Sequence, residues 1–481
     1  METRTDVTDI RAGEIRAGEI RPGEIRPGEI RPRPIPRARG GWPILGQALA
    51  FHRDPVALLE SAWREYGEVF QIRLAGRAFV VFAGPEAHDA YFHAPDRQLS
   101  AREVYQFTVP IFGKGVAYDV APEVMAEQLG FLASLLKGGA LQGYARLMHE
   151  EIKAYTRHWA EEGEIDLPQV TNELTINIAS RCLLGAEIRA SLETDFAPLY
   201  HDLQGGINTL GFFLPNLPIP RHRRRDRARR RVADLMGHIL YERRRAGRHE
   251  PDFMQALMEA RYADGRALRD EEITGLLLTA LFAGQHTSGV LAAWVGIDLL
   301  RHREYLAGVL AEIEGGYGQG QDLSLDILKR QIVLERAVRE GERLHPPLIV
   351  LVRKVLCDFD YRGFHLPAGA MALVSPALSH RLPTVFQDPE RYDPERFAPP
   401  REEHKQSAHA LIGFGGGHHR CLGMHFAYLQ IKALWTVLLS RFDLELVSPP
   451  PAPDYGSWVT GPRPPCRVRY RRRPLPIAGG L

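Results

Sequence analysis

The chain has 481 residues, 44% of them hydrophobic, enough to bury a large core; 61 Lys and Arg against 59 Asp and Glu leave a net charge of +2, which points to no partner by bulk electrostatics. Four cysteines, Cys182, Cys357, Cys421 and Cys466, lie far apart with no CxxC pair, which argues against a disulfide framework or a zinc ribbon and fits a reducing compartment. There is no N-terminal apolar signal region and no run of about 18 apolar residues, so a soluble cytoplasmic protein without a transmembrane anchor is expected.

Residues 11–30 read RAGEI RAGEI RPGEI RPGEI. The period is too short for a solenoid, Gly or Pro in every unit opposes a helix, and one Ile per unit cannot build a core. Residues 1–33 are therefore read as a disordered leader, with a partner-binding tail as the alternative, and 34–481 as one domain. "RPRPIPRARGGWPILGQAL" is a stiff, proline-rich approach to that domain. "DPVALLESAWREYG" (54–67) has helical periodicity and stops at Gly67, and "EVFQIRLAGRAFVVFAG" alternates as a β-hairpin turning at Ala75–Gly76.

From about 121 to 345 the pattern is mostly helical. "RHRRRDRARRR" (221–231) runs on into "VADLMGHILYERRR", which makes it the solvated face of a helix, with peripheral contact to an anionic membrane as the alternative. No nucleic-acid partner is expected, because overall charge is balanced and no aromatic residues interleave with the arginines. Residues 270–304 predict a helix about 50 Å long, apolar on nearly all sides and so running through the core. Gly284, Gln285, His286, Thr287 and Ser288 stand in its middle. A polar patch in a buried helix is costly, so it is read as a ligand pocket with a proton relay. Residues 350–400 return to short strands, and a last helix follows Cys421. The expected architecture is mostly α, with small sheets at one side.

Cys421 sits in "FGGGHHRCLG" (414–423), among Gly, His and Arg, an unusual setting for a structural thiol. A catalytic nucleophile is chemically sensible there, since a helix N-terminus lowers a thiol pKa. Zinc would need about four ligands, and His418 and His419, being adjacent, are expected to diverge. The fourth reading is an axial thiolate to haem iron, with the helix start tempering the charge on sulfur and the glycines letting the backbone pass under a flat macrocycle. Taken alone, the loop favours haem and leaves the other readings open.

Three further stretches bear on it. "ERAVREGERLHPP" puts Glu340 and Arg343 on one helix face, and "YDPERF" supplies Arg396 as a third member. The patch in the long helix is the third. F-x-x-G-x-H-x-C-x-G at 414–423, E-x-x-R at 340–343, P-E-R-F at 394–397 and A-G-Q-H-T-S at 283–288 together resemble the cytochrome P-450 superfamily, in its order and spacing, over about residues 34–475. Within it, "YQFTVPIFGKGVAYD" (105–119), "LHPPLIVLVRK", His286 and His419 resemble the sterol 14α-demethylases.

The resemblance implies a P-450 fold with haem b held by Cys421. It implies His286 and Thr287 as catalytic proton carriers, and Glu340, Arg343 and Arg396 as a structural brace. Tyr105, Tyr118, Arg353 and His419 would meet the haem propionates; Tyr105, Phe107, Phe112, Phe282, Ala283 and Leu348 would meet substrate. The implied activity is oxidative 14α-demethylation of a lanosterol-type sterol with O2 and electrons from a separate ferredoxin or flavoprotein reductase. Hydroxylation of another polycyclic or terpenoid lipid, or haem-thiolate sensing without turnover, are the alternatives. The chain departs from the family where Val124, Met125 and Ala126 stand in place of basic residues, where His418 replaces an Arg, and at Gly341, which costs its helix about 1 kcal/mol relative to Ala. Deleting residues 1–30 is expected to leave the thermal midpoint and haem content unchanged, as differential scanning calorimetry and haem titration would check.

Overall fold

The computed structural model describes residues 33–474 apart from 193–195, 208–210, 213, 248, 251, 319 and 320, so the repeats lie outside the described residues. The first hairpin forms as its alternation predicts. Strands β1 (Val69–Leu74) and β2 (Arg77–Phe82) pair from Val69 opposite Phe82 to Leu74 opposite Arg77. Ala75 (φ 48°) and Gly76 (φ 80°) make the turn, both with the positive φ that matches strand twist in a two-residue hairpin.

β2 then pairs in parallel with β8 (Met371–Val374), giving a five-stranded sheet in the order β1-β2-β8-β5-β3, with β3 at Leu99–Ser100 and β5 at Leu351–Val355. A second sheet joins β4 (Glu162–Asp166), β10 (Arg467–Arg472) and β9 (Phe442–Leu446), and β6 (Phe359–Tyr361) pairs with β7 (Phe364–Leu366) as a two-stranded hairpin. The helices fill the rest, as expected.

Five helices position the site: α1 (Leu167–Ala179), α2 (Pro220–Ala246), α3 (Asp270–Arg301), α4 (Ile332–Leu344) and α5 (Met424–Arg441). α3 begins with three acids, Asp270, Glu271 and Glu272, suited to the positive end of the helix dipole, and Glu272 accepts the Arg269 N–H at 2.8 Å. It ends at Arg301, three residues short of expectation, where His302 turns out of the helix and its Nδ1 bonds the Asp298 carbonyl at 2.8 Å. Among the described residues α3 is the one helix with the length and apolarity to cross a membrane; its residues 272–278 and 288–300 are buried inside the domain. On α2, Arg221, Arg223, Arg224, Arg227, Arg230 and Arg231 face solvent as expected, but Arg225 is buried and donates to the Pro215 carbonyl at 2.9 Å.

Small residues set how closely α3 meets its neighbours. The Trp435 ring of α5 lies against Gly296, where a Cβ would come within 1.9 Å of Cζ2, and its Nε1 donates to the Ala292 carbonyl at 3.0 Å. Gly341 of α4 faces Val295, and a Cβ there would lie 2.7 Å from Cγ2. The glycine that weakens α4 as an isolated helix therefore permits its contact with α3.

Glu340, Arg343 and Arg396 meet in one buried set. Glu340 takes Arg343 through two bonds of 2.7 and 2.9 Å and Arg396 at 3.1 Å, all three side chains being fully buried. Arg343 also donates to the carbonyls of His380 and Pro389 at 2.9 and 2.6 Å. His380 returns Nδ1 to the Arg343 carbonyl at 3.2 Å and accepts the Ile412 N–H on Nε2 at 2.8 Å, so the brace reaches the Cys421 loop. Gly296→Ala is expected to destabilise the protein by about 1–3 kcal/mol through overpacking against Trp435. Thermal melts of Gly296→Ala, Trp435→Leu and the double variant should give a double-mutant cost well below the sum of the singles.

Candidate active site

The Cys421 loop enters α5 through a short turn at Gly417–His419. Its shape is set by close approach: a Cβ on Gly417 would lie 2.4 Å from the Phe92 carbonyl, and Gly417 has φ 59°. The Cys421 N–H donates to the Phe414 carbonyl at 2.8 Å, which closes the loop on itself. The Gly423 and Met424 N–H groups and the charge of Arg420 favour the thiolate, while burial and the charge of Glu342 oppose it; burial is the largest effect, and the thiol is held above its ordinary pKa. Cys421 is hemmed in by protein yet keeps an open surface, the condition of a group lining an internal space. Cys182 and Cys466 are buried without such an opening, and burial pushes Cys466 up to about 11.

On α3 the buried run is broken between 279 and 287. Ala283 is exposed, and Thr279, Ala280, His286 and Thr287 are partly so, on one helix face at i, i+3 and i+4 spacing. Thr287 Oγ1 donates to the Ala283 carbonyl one turn back at 2.7 Å. Burial lowers the His286 pKa, which keeps the ring neutral near pH 7, and it has no hydrogen-bond partner among the described residues.

The polar patch divides, contrary to the expectation of one pocket. Gln285 turns away from the open face, accepting from Tyr200 at 3.1 Å and Gln204 at 3.3 Å and donating to the Asn172 carbonyl at 3.4 Å. Ser288 is fully buried, its hydroxyl without a partner among the described residues. His286 and Thr287 are left as the polar groups on the open side.

Tyr105, Tyr118, Arg353 and His419 come together. The two tyrosine rings stack with centroids 5.1 Å apart, and the Arg353 charge acts on both of them and on His419. Arg353 is 3% exposed, donates to the Tyr91 carbonyl at 2.9 Å and lies 4.7 Å over the Tyr91 ring. Among the described residues no carboxylate pairs with it. His418 and His419 do not diverge as adjacency suggested. Their ring centroids are 4.4 Å apart, and both rings face Asp96, with Nε2–Oδ1 distances of 3.6 and 2.5 Å.

The helix after Tyr118, Pro122–Leu135, carries no basic residue: Val124 is half-buried, Met125 buried and Ala126 exposed. Of the expected apolar set, Phe112, Phe282 and Leu348 share one core cluster, and Phe107 sits in a separate aromatic group. Phe112 meets Phe282 edge-on at 5.8 Å, Leu348 packs on the same core, and Phe107 is closed over by Phe212 at 5.3 Å and Trp458 at 5.0 Å. Phe212 and Trp458 were not legible as site residues: Trp458 sits in irregular chain, and both lie far from Phe107 in the sequence. Asp96 and His380 were missed too, because their partners lie hundreds of residues away or on another element. Glu342 was overlooked inside E-x-x-R, whose pattern names only its ends; burial raises its carboxyl to about 7, against the pull of the Tyr428 hydroxyl, Arg339, Arg420 and the Gly413 N–H.

A family model described as Cytochrome P450 matches residues 36–467. The chain belongs to the cytochrome P450 family. It is 42% identical to a sterol 14-demethylase of Arabidopsis thaliana over 92% of each chain. It is 36% identical to a sterol 14alpha-demethylase of Mycolicibacterium vanbaalenii (92% of this chain, 98% of that one) and 37% identical to a lanosterol 14-alpha demethylase of Bos taurus (90% and 86%). Its fold is similar to that of a retinoic acid-bound cyanobacterial P450, CYP120A1, with a TM-score of 0.81 at 24% identity, covering 92% of this chain and 99% of that one.

A P450 takes a haem-iron cofactor, and the donor set here suits one. It offers a thiol under two amide N–H groups and a buried guanidinium with no carboxylate of its own, the arrangement an anionic edge group would complete. The reduced protein with carbon monoxide is expected to give the strongly red-shifted Soret band of thiolate ligation. Cys421→Ala should lose it, while Cys182→Ala, Cys357→Ala and Cys466→Ala keep it, as absorbance difference spectra would check.

Proposed function

We propose that this P450 is a sterol 14α-demethylase. The reading is carried by the agreement of plant, bacterial and animal relatives, 36–42% identical over most of their length, all of them named as 14-demethylases. The pocket chemistry supports it: a rigid tetracyclic lipid needs long apolar walls with few polar anchors, and Phe107, Phe112, Phe282, Ala283 and Leu348 are such a set. We add Phe212 and Trp458, which close over Phe107.

In this reading the cofactor is haem b: Cys421 would hold its iron through sulfur, Arg353, Tyr105, Tyr118 and His419 would hold its propionates, and Glu340, Arg343 and Arg396 brace the thiol side. Bound thiolate-ligated haem supplies O2 activation for oxygen insertion into a C–H bond. Ala283, without a bulky side chain on the open face of α3, leaves room for the sterol methyl group. His286, neutral and unpaired, can take a proton on a ring nitrogen; Thr287, by breaking its bond to the Ala283 carbonyl, can donate from Oγ1 and accept a replacement. Three successive oxidations carry the methyl group through alcohol and aldehyde to formic acid, each drawing two electrons from an external ferredoxin or flavoprotein reductase.

Incubation with a lanosterol-type sterol, O2 and a surrogate electron-transfer chain, followed by mass spectrometry, is expected to give the 14-demethylated sterol and formic acid. His286→Ala and Thr287→Ala should retain the haem spectrum but divert electrons to peroxide. Phe107→Ala should weaken sterol binding by about 1.5–3 kcal/mol, the usual value of a buried apolar side chain. Failure of every sterol to perturb the haem spectrum, with another terpenoid hydroxylated instead, would overturn the assignment.

A further inference from the structure

Glu342 stands between Gly341 and Arg343 but takes no part in the brace. Its side chain is buried, 2% exposed, and forms no salt bridge among the described residues. It accepts a short hydrogen bond from the Tyr428 hydroxyl in the second turn of α5, and the Gly413 N–H is directed at it. A Cβ on Gly413 would lie 2.5 Å from its Oε1, so only glycine lets the chain pass this close. Gly413 stands just before the Cys421 loop and Tyr428 just after it. One carboxylate thus ties both flanks of the thiol loop to α4.

A buried carboxylate with no ion-pair partner costs several kcal/mol, and an apolar side chain would pack α4 against the loop without that cost. The nearest cations are Arg339, one turn back on α4 with its guanidinium 5.7 Å over the Tyr428 ring, and Arg420, next to the thiol. Neither bonds the carboxylate directly. Its charge is left to act on its surroundings, and Cys421 is among the groups that feel it.

We propose that Glu342 is a positioning residue for the axial thiolate: it clamps the loop through Gly413 and Tyr428, and its negative charge makes the sulfur a stronger donor to haem iron. The proposal rests on Cys421 as the haem ligand, which the Cys421→Ala spectrum decides separately. The test is the midpoint reduction potential and carbon monoxide spectrum of the purified holoenzyme at pH 8. Glu342→Gln keeps the shape and both contacts but removes the charge; its potential should rise above wild type while the thiolate-type band is retained. Glu342→Leu should raise the potential likewise and convert part of the carbon monoxide complex to the form lacking thiolate ligation. Tyr428→Phe loosens the clamp and removes the hydrogen bond that most favours the charged carboxyl, so its potential should rise at pH 8 and return towards wild type as the pH is raised. A Glu342→Gln potential at or below wild type would overturn the proposal, as would a Glu342→Leu protein with unaltered potential and band. Should Glu342→Leu fail to fold, the other two variants still decide, since each preserves the packing.

Discussion

The buried carboxylate of Glu340 is the point to which the thiol side of the molecule is referred. It is fully buried and accepts from Arg343, Arg396 and the Asp393 N–H, the last at 2.8 Å. Removing one member of such a buried set leaves an uncompensated charge, a loss of about 3–5 kcal/mol. Each arginine also carries main-chain carbonyls, so α4 is bound to the segment from His380 to Glu403 through side chains rather than through a sheet. His380 passes that order to Ile412 and so to the loop that holds Cys421.

The opposite side depends on shape instead of charge. α3 is held by Trp435 on Gly296 and by Val295 against Gly341, contacts that tolerate no added methyl group. The thiol loop and the open face of α3 are therefore positioned by different physics: hydrogen-bonded ions on one side, steric fit on the other. Open surface at Cys421 and at 279–287 survives because these two rigid systems do not collapse onto each other. A cofactor site made this way is largely formed before anything binds, which reduces the ordering cost of binding.

The same division explains what was legible beforehand. The Ala75–Gly76 turn, the acidic start of α3 and the solvent-facing arginines of α2 are local matters, decided by φ preference, helix dipole and periodicity. The grouping of Tyr105, Tyr118, Arg353 and His419 was available only through family resemblance, since its successive members stand 13, 235 and 66 positions apart in the chain. Gln285 and Ser288 were misread for a related reason: period alone says that a residue lies in a helix, not which neighbour its side chain will meet.

What the sequence determined by itself was the class of fold, the run of elements and the thiol loop, because turn chemistry, apolar periodicity and glycine placement act within a few residues. What only the tertiary structure decided was partnership. Gly341 reads as a defect until Val295 is set against it; His418 and His419 read as divergent until Asp96 draws both rings to one point; Glu342 reads as a spacer until Gly413 and Tyr428 close around it. These meanings depend on distances between segments far apart in the chain, and such distances exist only once the core has packed.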